Sequence, residues 1–242
     1  MAKYKVLSTK KLEPSLVEKA KKNDIEIIEQ EFISIKPVWN KETFDTILGF
    51  AKENKFYIAL TSANAVDVLN RYMVAEDCYH IVEWNTFCLS GKTKQAIQAA
   101  KFLQKNIVGE ANNAIELAKK IIEAGVKEII FFCGNKRRDE LPTTLKEAGI
   151  KVHEVILYET LEEPLTVNVN FDAVLFFSPS GVQSFFSANQ LKKGTVCFAI
   201  GHTTASSVAT FTNNEVVASI APNQIHLVEE VIEHFKQISI VK

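Results

Sequence analysis

The chain has 242 residues, of which 47% are hydrophobic, and its 28 basic and 29 acidic side chains give a formal net charge of −1. That balance excludes a protein that binds nucleic acid through bulk charge, and no apolar run approaches the roughly 20 residues that span a membrane. The first residues contain no long apolar stretch, so the sequence predicts no secretion signal and a cytoplasmic location.

Apolar runs alternate along the chain with amphipathic segments, as strands and helices do in α/β proteins. The predicted strands cover residues 4–7, 25–28, 31–36, 57–60, 87–89, 106–108, 128–132, 152–159, 172–177, 195–200 and 216–219. The predicted helices cover residues 12–22, 63–74, 92–102, 112–124, 139–148, 180–189, 203–210 and 223–237. This alternation predicts parallel sheets with helices on both faces.

Two strand-like segments, residues 31–36 and 152–160, have no helix directly after them and are predicted to pair as a connector. The predicted fold is therefore two flavodoxin-like, doubly wound parallel-sheet domains joined by a two-stranded β connector, with one domain inserted in the other. Residues 37–152 would form the inserted domain, and residues 1–35 plus 161–242 the discontinuous one. The alternative is two domains in simple tandem, with a boundary near Glu162-Glu163-Pro164.

Short polar turns stand where predicted strands end and helices begin. They are Thr61-Ser62-Ala63-Asn64, Ser90-Gly91-Lys92-Thr93, Ser178-Pro179-Ser180-Gly181 and Gly201-His202-Thr203-Thr204. Each turn can simply cap its helix. Because strand carboxyl ends and helix N-termini are also where open parallel sheets bind anions, the whole set predicts a ligand site. Both halves show a serine turn followed by a Gly-x-Thr turn, which suggests a duplicated unit.

Three further side chains are candidates at this site. Arg138, in the charged run 135–140, and Lys10, after the first strand, could bind a carboxylate, although a solvated charge run is the plain alternative for the first. Tyr158 lies on a connector strand, where packing is the commoner role of a tyrosine. No nucleophile elbow, phosphate loop or dinucleotide fingerprint is present.

The cysteine and histidine spacing predicts no metal site. None of the four cysteines forms a C-x-x-C pair, and the five histidines are scattered. Cys133 and Cys197 stand in apolar runs and are predicted to be buried, reduced thiols.

Several short segments, in matching order, resemble those of one known family. They are residues 61–66, 134–142, 155–160, 175–182, 198–205, 221–222 and 227–228. The family is uroporphyrinogen-III synthase, and the resemblance covers essentially the full length. It implies two α/β domains joined by a two-stranded ladder. It also implies a lyase that cyclises hydroxymethylbilane, with loss of water and inversion of the last pyrrole ring, to uroporphyrinogen III in haem biosynthesis.

The resemblance also implies roles for particular residues. Tyr158 occupies the position proposed in the family to assist departure of the hydroxyl, although a phenol is a weak acid at neutral pH. The turns around Ser62, Ser178 and Thr203-Thr204 match ligand-contacting turns, and Arg138 is a candidate carboxylate contact. Lys10 departs from the Thr-Arg-Pro that the family often has after its first strand, so the bidentate geometry of arginine is lost there.

The resemblance finally sets expectations about cofactors and partners. No cofactor or metal is expected, nor any nucleic acid or membrane partner. The protein is expected to be a monomer. It would receive its substrate from the preceding enzyme of the pathway. Two rivals stay open: a non-catalytic, two-lobed protein that binds a small anion, and a nucleotide-sugar transferase, for which no diphosphate site is evident.

Overall fold

The computed structural model describes residues 2–51, 56–77, 84–100 and 106–241. Its strands are β1 (Tyr4–Ser8), β2 (Ile25–Glu29), β3 (Ile33–Pro37), β4 (Phe56–Leu60), β5 (Trp84–Leu89), β6 (Ile107–Ala111), β7 (Glu128–Gly134), β8 (Lys151–Glu162), β9 (Ala173–Phe176), β10 (Val196–Ala199) and β11 (Val216–Ala218). Its helices are α1 (Pro14–Lys21), α2 (Lys41–Ala51), α3 (Ala63–Ala75), α4 (Lys92–Ala99), α5 (Ala114–Glu123), α6 (Glu140–Glu147), α7 (Pro179–Ala188), α8 (His202–Ala209) and α9 (Gln224–Val241). The predicted α/β fold is confirmed.

The chain divides into two compact units, residues 1–34 with 161–242, and residues 35–160. Each unit has one sheet with an apolar core on either face. In the second unit, one core joins the sheet to α2, α3 and α4, and the other joins it to α5 and α6. In the first unit, α1 and α9 pack on one face, and α7 and α8 pack on the other.

The two sheets have the same spatial plan but different chain order. The first sheet runs β11-β10-β9-β1-β2, which is the flavodoxin order. The second runs β3-β8-β7-β4-β5-β6, in which β4 to β8 follow the order of dinucleotide-binding folds. The doubly wound architecture predicted for both units is present, and the strand order differs between them.

A circular permutation relates the two plans. If β9-β10-β11 is laid on β4-β5-β6, then β1-β2 falls on β7-β8, and these strands pair in parallel in both sheets. The helices correspond as well, because α7 and α8 match α3 and α4, while α9 and α1 match α5 and α6. The Ser62 turn thus corresponds to the Ser178 turn, which accounts for the repeated motifs in the sequence.

The predicted connector strands lie side by side at one edge of the second sheet. The Val38 N–H donates to the Leu157 carbonyl at 2.8 Å, and the Glu163 N–H donates to the Phe32 carbonyl at 2.9 Å, so β3 runs antiparallel to β8. β8 also pairs in parallel with β7. The two strands therefore belong to a six-stranded sheet, not to a separate ladder, because the long β8 has partners on both sides.

Helix α2 was not predicted from the sequence. Its start is stabilised by the Asn40 side-chain oxygen, which accepts a hydrogen bond from the Thr43 N–H at 2.9 Å. Its Ile47 is fully buried in the core of the second unit. The helix predicted over 92–102 ends at Ala99, and its last two residues lie outside the described part of the chain.

The three described cysteines, Cys88, Cys133 and Cys197, are buried free thiols, which confirms the prediction for Cys133 and Cys197. Cys78 lies outside the described residues. Within the described ranges, no helix combines the length and hydropathy of a membrane span, and no three potential metal-ligating side chains cluster together.

Candidate functional site

A pocket of about 480 Å³ lies at the carboxyl edge of the second unit's sheet. The chain leaves β4 through α3 to reach β5 on one side, whereas β7 lies on the other side, so the strand order reverses between β4 and β7. Open α/β sheets bind ligands at such a reversal. The pocket spans it, since Ser62 follows β4, Gly134 ends β7, and both line the pocket.

Tyr158 forms one wall of the pocket and is only 9% exposed. The pairing of β7 with β8 shifts between Cys133 and Gly134, so that Tyr158 stands opposite Gly134. Its hydroxyl oxygen lies 2.9 Å from the Ser62 Oγ, a hydrogen bond in which either group can be the donor. Two hydroxyl groups, from β8 and from the turn after β4, are therefore joined in the pocket wall.

Gly134 is the residue that gives the Tyr158 ring its space. A Cβ atom at this position would lie 2.5 Å from the Tyr158 Cζ and 2.8 Å from its hydroxyl oxygen. No side chain fits at such distances, so the bare backbone of β7 is the surface on which the ring rests. The glycine is thus needed for close approach, and this contact is not readable from the sequence.

The two adjacent arginines after β7 have different surroundings. The Arg137 guanidinium is held by Asp139 and by Glu154 of β8, and Lys146 donates to the other Glu154 oxygen at 2.7 Å. Arg138 also lines the pocket but is exposed, and within the described ranges it has no hydrogen-bond or ion-pair partner. Arg137 therefore fixes the turn, while Arg138 is the cation available to a ligand.

Glu154 links this turn to the stability of the unit. Burial pushes the pKa of Glu154 up, but hydrogen bonds from Lys146 and Arg137 outweigh burial and hold that pKa below its ordinary value of 4.5. A carboxylate with a lowered folded-state pKa stabilises the fold above its unfolded pKa, and the contribution is lost as the pH falls through the folded pKa.

We expect Glu154→Gln to lower the free energy of unfolding at pH 7 by about 1 kcal/mol. The difference from the parent chain should shrink as the pH falls from about 5 towards 3, because both chains then carry a neutral side chain. Urea denaturation at several pH values measures this. Glu128→Gln is the control: hydrogen bonds from Lys151 and His153 also lower the pKa of Glu128, but that carboxyl is open to solvent and its effect should be smaller. A difference that does not change with pH would contradict the assignment.

Helix N-termini surround the pocket and favour an anion. α3, α5 and α6 begin at or beside Ser62, Asn113 and Asp139, so their partial positive ends meet at this edge. The Asn113 side chain accepts the Glu116 N–H at 2.9 Å, and the Glu116 carboxylate accepts from the Asn112 N–H at 3.3 Å. Asn112 and Asn113 line the pocket but were missed in the sequence, although an Asn followed three residues later by Glu is a helix-start signal.

Cys133 also lines the pocket but is not a candidate nucleophile. Burial is the main cause that raises the pKa of its thiol to about 11. The thiol is therefore protonated at neutral pH and unreactive.

The turn residues predicted after β5 lie outside the lining of this pocket. Gly91 has a φ of +73°, in the region that favours glycine, and opens α4. Thr93 is buried and Lys92 is exposed. Ala63 and Asn64 continue the chain into α3 from Ser62 and are not in the pocket lining either. A ligand role for these residues stays a prediction.

The remaining predicted site residues lie at the carboxyl edge of the first unit's sheet. Ser178 caps α7, since its Oγ accepts the Gly181 N–H at 3.1 Å, and Ser180 and Gly181 lie in the first turn of that helix. Gly201 precedes α8, in which Thr203 is exposed and Thr204 is buried. The exposed Lys10 follows Ser8, whose hydroxyl donates to the Lys10 carbonyl at 2.5 Å. Their binding roles also stay predictions.

Comparisons with known proteins agree on one family. The sequence profile of uroporphyrinogen-III synthase HemD matches residues 14–229. A uroporphyrinogen-III synthase from Saccharomyces cerevisiae is 28% identical over 152 residues, which is 52% of this chain and 55% of that protein. The match thus spans about half the length of the yeast relative.

Solved structures match over nearly the whole chain. A uroporphyrinogen-III synthetase from Helicobacter pylori superposes with a TM-score of 0.66 at 15% identity, over 96% of this chain and 99% of that one. A mutant uroporphyrinogen III synthase from the extremely thermophilic bacterium Thermus thermophilus superposes with a TM-score of 0.64 at 15% identity, over 99% and 100%. At such low identity these likenesses support the fold.

Proposed function

The chain belongs to the uroporphyrinogen-III synthase family, and we propose that it converts hydroxymethylbilane to uroporphyrinogen III with loss of water. The observation that best supports this activity is the hydrogen-bonded pair of Tyr158 and Ser62 in a pocket that also carries the exposed Arg138. The pair supplies a proton donor to the leaving hydroxyl. The arginine and the surrounding helix N-termini suit a substrate that bears many carboxylates.

The chemical task is mainly one of holding the substrate in shape. Hydroxymethylbilane can lose its hydroxyl and cyclise without help, but the last ring is then not inverted. The protein must keep the azafulvene and the substituted carbon of the last ring in reach of each other until the spiro intermediate forms. Holding reactants in a reactive geometry needs no metal and no strong base. Backbone N–H groups can bind carboxylates without a high net charge, which fits a chain of charge −1.

The activity is tested by supplying freshly made hydroxymethylbilane, oxidising the products and separating the porphyrin isomers. Isomer III in excess of a control without protein is the expected result. If only isomer I forms, at the rate of the control, the synthase proposal fails. Tight binding of the bilane without conversion would instead favour the non-catalytic anion-binding alternative.

We expect Tyr158→Phe to reduce kcat about fivefold or more without abolishing turnover. The ring still fills the pocket wall, but the hydroxyl that could assist departure of the substrate hydroxyl is gone. The measurement is the initial rate of isomer III formation at saturating bilane, and the melting temperature controls for folding. Full activity in this variant would remove Tyr158 from the mechanism.

We expect Arg138→Gln to raise KM about tenfold with little change in kcat, because an exposed guanidinium contributes binding and takes no part in bond making. Arg138→Lys should recover part of the loss, since it keeps the charge but not the planar fork. The KM of the parent chain should rise with salt more steeply than that of Arg138→Gln.

Lys127→Gln is the matched control for that experiment. Lys127 is an exposed cation of the same unit, but it precedes β7 and so lies at the opposite end of the strand. Its removal changes the net charge equally and should leave KM unchanged. An equal rise in KM for both variants would assign the effect to overall charge and not to the pocket.

The family resemblance also underlies three finer parts of the proposal. The protein would act as a monomer in the cytoplasm, take its substrate from the preceding enzyme of the pathway, and use no cofactor. Equilibrium sedimentation at micromolar concentration tests the monomer directly.

A further inference from the structure

Ser62 and Ser178 hold corresponding places in the two units but make different hydrogen bonds. Each is the extended N-cap residue of the helix after a central strand. The Ser178 hydroxyl accepts the Gly181 N–H, the usual bond of a serine cap. The Ser62 hydroxyl makes no bond to its helix and lies 2.9 Å from the Tyr158 hydroxyl. Ser178 therefore serves as an internal comparison for Ser62, because it shows the usual hydrogen bond of a serine in this turn.

The surroundings of Tyr158 leave its hydroxyl little freedom. The side chain is part of the buried core of the second unit, and the ring lies against the bare backbone of Gly134. The shift in register between β7 and β8 places the ring opposite that glycine. Ser62, which approaches from the turn after β4, is the hydrogen-bond partner of the hydroxyl. Two strands and one turn therefore define the position of a single oxygen atom.

We propose that Ser62 is a positioning residue for Tyr158 and that the two hydroxyls act as one unit in the dehydration. This inference rests on the proposed function. Tyr158 gives its proton to the departing hydroxyl, which leaves as water when the C–O bond breaks. Ser62 then donates a hydrogen bond to the phenolate. The phenolate recovers a proton from the last pyrrole ring, which loses one from carbon when it regains aromaticity, so the protein ends in its starting state.

The alternative role for Ser62 is direct contact with a carboxylate of the substrate. The two roles differ in their consequences. A residue that acts through Tyr158 affects kcat and has no effect once the Tyr158 hydroxyl is absent. A residue that binds a carboxylate affects KM, and its loss adds to the loss of Tyr158.

The first experiment tests the hydroxyl pair without any substrate. The chain is labelled with 3-fluorotyrosine at its five tyrosines, and the Tyr158 resonance is assigned with Tyr158→Phe. We expect Ser62→Ala to shift and broaden that ¹⁹F resonance, and Ser62→Thr to bring it back towards its original position. Ser178→Ala, which removes a real helix cap, should lower the melting temperature and leave the resonance in place. An unchanged Tyr158 resonance in Ser62→Ala would overturn the pair.

The second experiment is a kinetic cycle with Ser62→Ala, Tyr158→Phe and the double variant. We expect Ser62→Ala to lower kcat about fivefold with an unchanged KM, and Ser62→Thr to restore most of the rate. In the Tyr158→Phe background, Ser62→Ala should have no further effect on kcat. A raised KM, or losses that simply add, would overturn the positioning role and assign Ser62 to the substrate.

The two experiments separate failure of this inference from failure of the proposed function. If the parent chain makes no isomer III, the proposed function fails, and the coupling of the two hydroxyls is still decided by the ¹⁹F spectrum. If the parent chain makes isomer III and the spectrum does not respond to Ser62→Ala, only the positioning inference fails.

Discussion

Replacing Gly134 by alanine is expected to lower kcat/KM about a hundredfold while the chain stays folded. The added Cβ would lie 2.5 Å from the Tyr158 Cζ, so either the ring must swing into the pocket or β7 and β8 must separate. The first outcome blocks the site and breaks the bond to Ser62. The second displaces Arg137 and Arg138, which follow Gly134 closely. Both remove the arrangement on which turnover depends, so the loss should exceed that of Tyr158→Phe.

The control for this prediction is Gly109→Ala in the same unit. A Cβ at Gly109 would lie 2.6 Å from Cδ1 of Phe87, a clash of the same kind against a ring that does not line the pocket. That variant should lose stability and keep the kcat of the parent chain. Initial rates and urea denaturation on both variants decide the matter. Wild-type turnover in Gly134→Ala, or an equal loss of kcat in Gly109→Ala, would contradict the role given to Gly134.

The contact between Gly134 and Tyr158 cannot be predicted from the sequence, although both residues can be located in it. Tyr158 and the glycine that ends β7 were both visible in the sequence, and the turns after strands predicted which edge of the sheet would bind a ligand. Their contact depends on a one-residue shift in register between β7 and β8. Such a shift follows from packing on both faces of the sheet and leaves no local pattern.

The adjacent arginines illustrate the same limit. Arg137 and Arg138 are equivalent in a sequence, and the family resemblance indicates Arg138 as the carboxylate contact. The structure distinguishes them through Glu154, which is 17 positions away from Arg137 and belongs to another strand. A partner so distant cannot be inferred from spacing. The capping bond between Asn113 and Glu116 joins residues only three positions apart, so the sequence pattern can indicate it.

The repeated turns in the sequence suggest a duplicated unit, and the two sheets are related by a circular permutation. The serine turn and the Gly-x-Thr turn recur because β4-β5 and β9-β10 are corresponding strand pairs in two permuted sheets. A permutation changes the order in which strands are met along the chain while it preserves their neighbours. Short motifs therefore survive in both halves, but the strand order of one unit cannot be copied from the other.

Phe132 lies in the buried core of the second unit. The side chain is fully buried, and the centroid of its ring lies 5.6 Å from the ring centroid of Trp84. It lies on β7, two residues before Gly134, and it shares its buried cluster with Tyr158. A change at this position should therefore lower the stability of the second unit and, as a consequence, disturb the position of Tyr158 in the pocket.

We expect Phe132→Ala to lower the free energy of unfolding by about 3–5 kcal/mol, because a cavity replaces a large ring in the core that joins the sheet to α2, α3 and α4. Since small domains are stable by only about 5–15 kcal/mol, this loss is a large share of the total stability of the second unit. Phe132→Leu should cost far less, about 1 kcal/mol, because it keeps most of the volume. The midpoint and slope of urea denaturation, followed by tryptophan fluorescence, measure both.

The exposed Phe211 provides the control for burial. It stacks on Phe186 in the first unit but is 48% exposed, so Phe211→Ala should change stability by about 1 kcal/mol or less. Phe132→Leu should stay folded. Its kcat should fall because Phe132 shares a buried cluster with Tyr158, whereas its KM should be kept because Arg138 is exposed and outside that cluster. Equal losses of stability in Phe132→Ala and Phe211→Ala would contradict the prediction that burial of Phe132 stabilises the second unit.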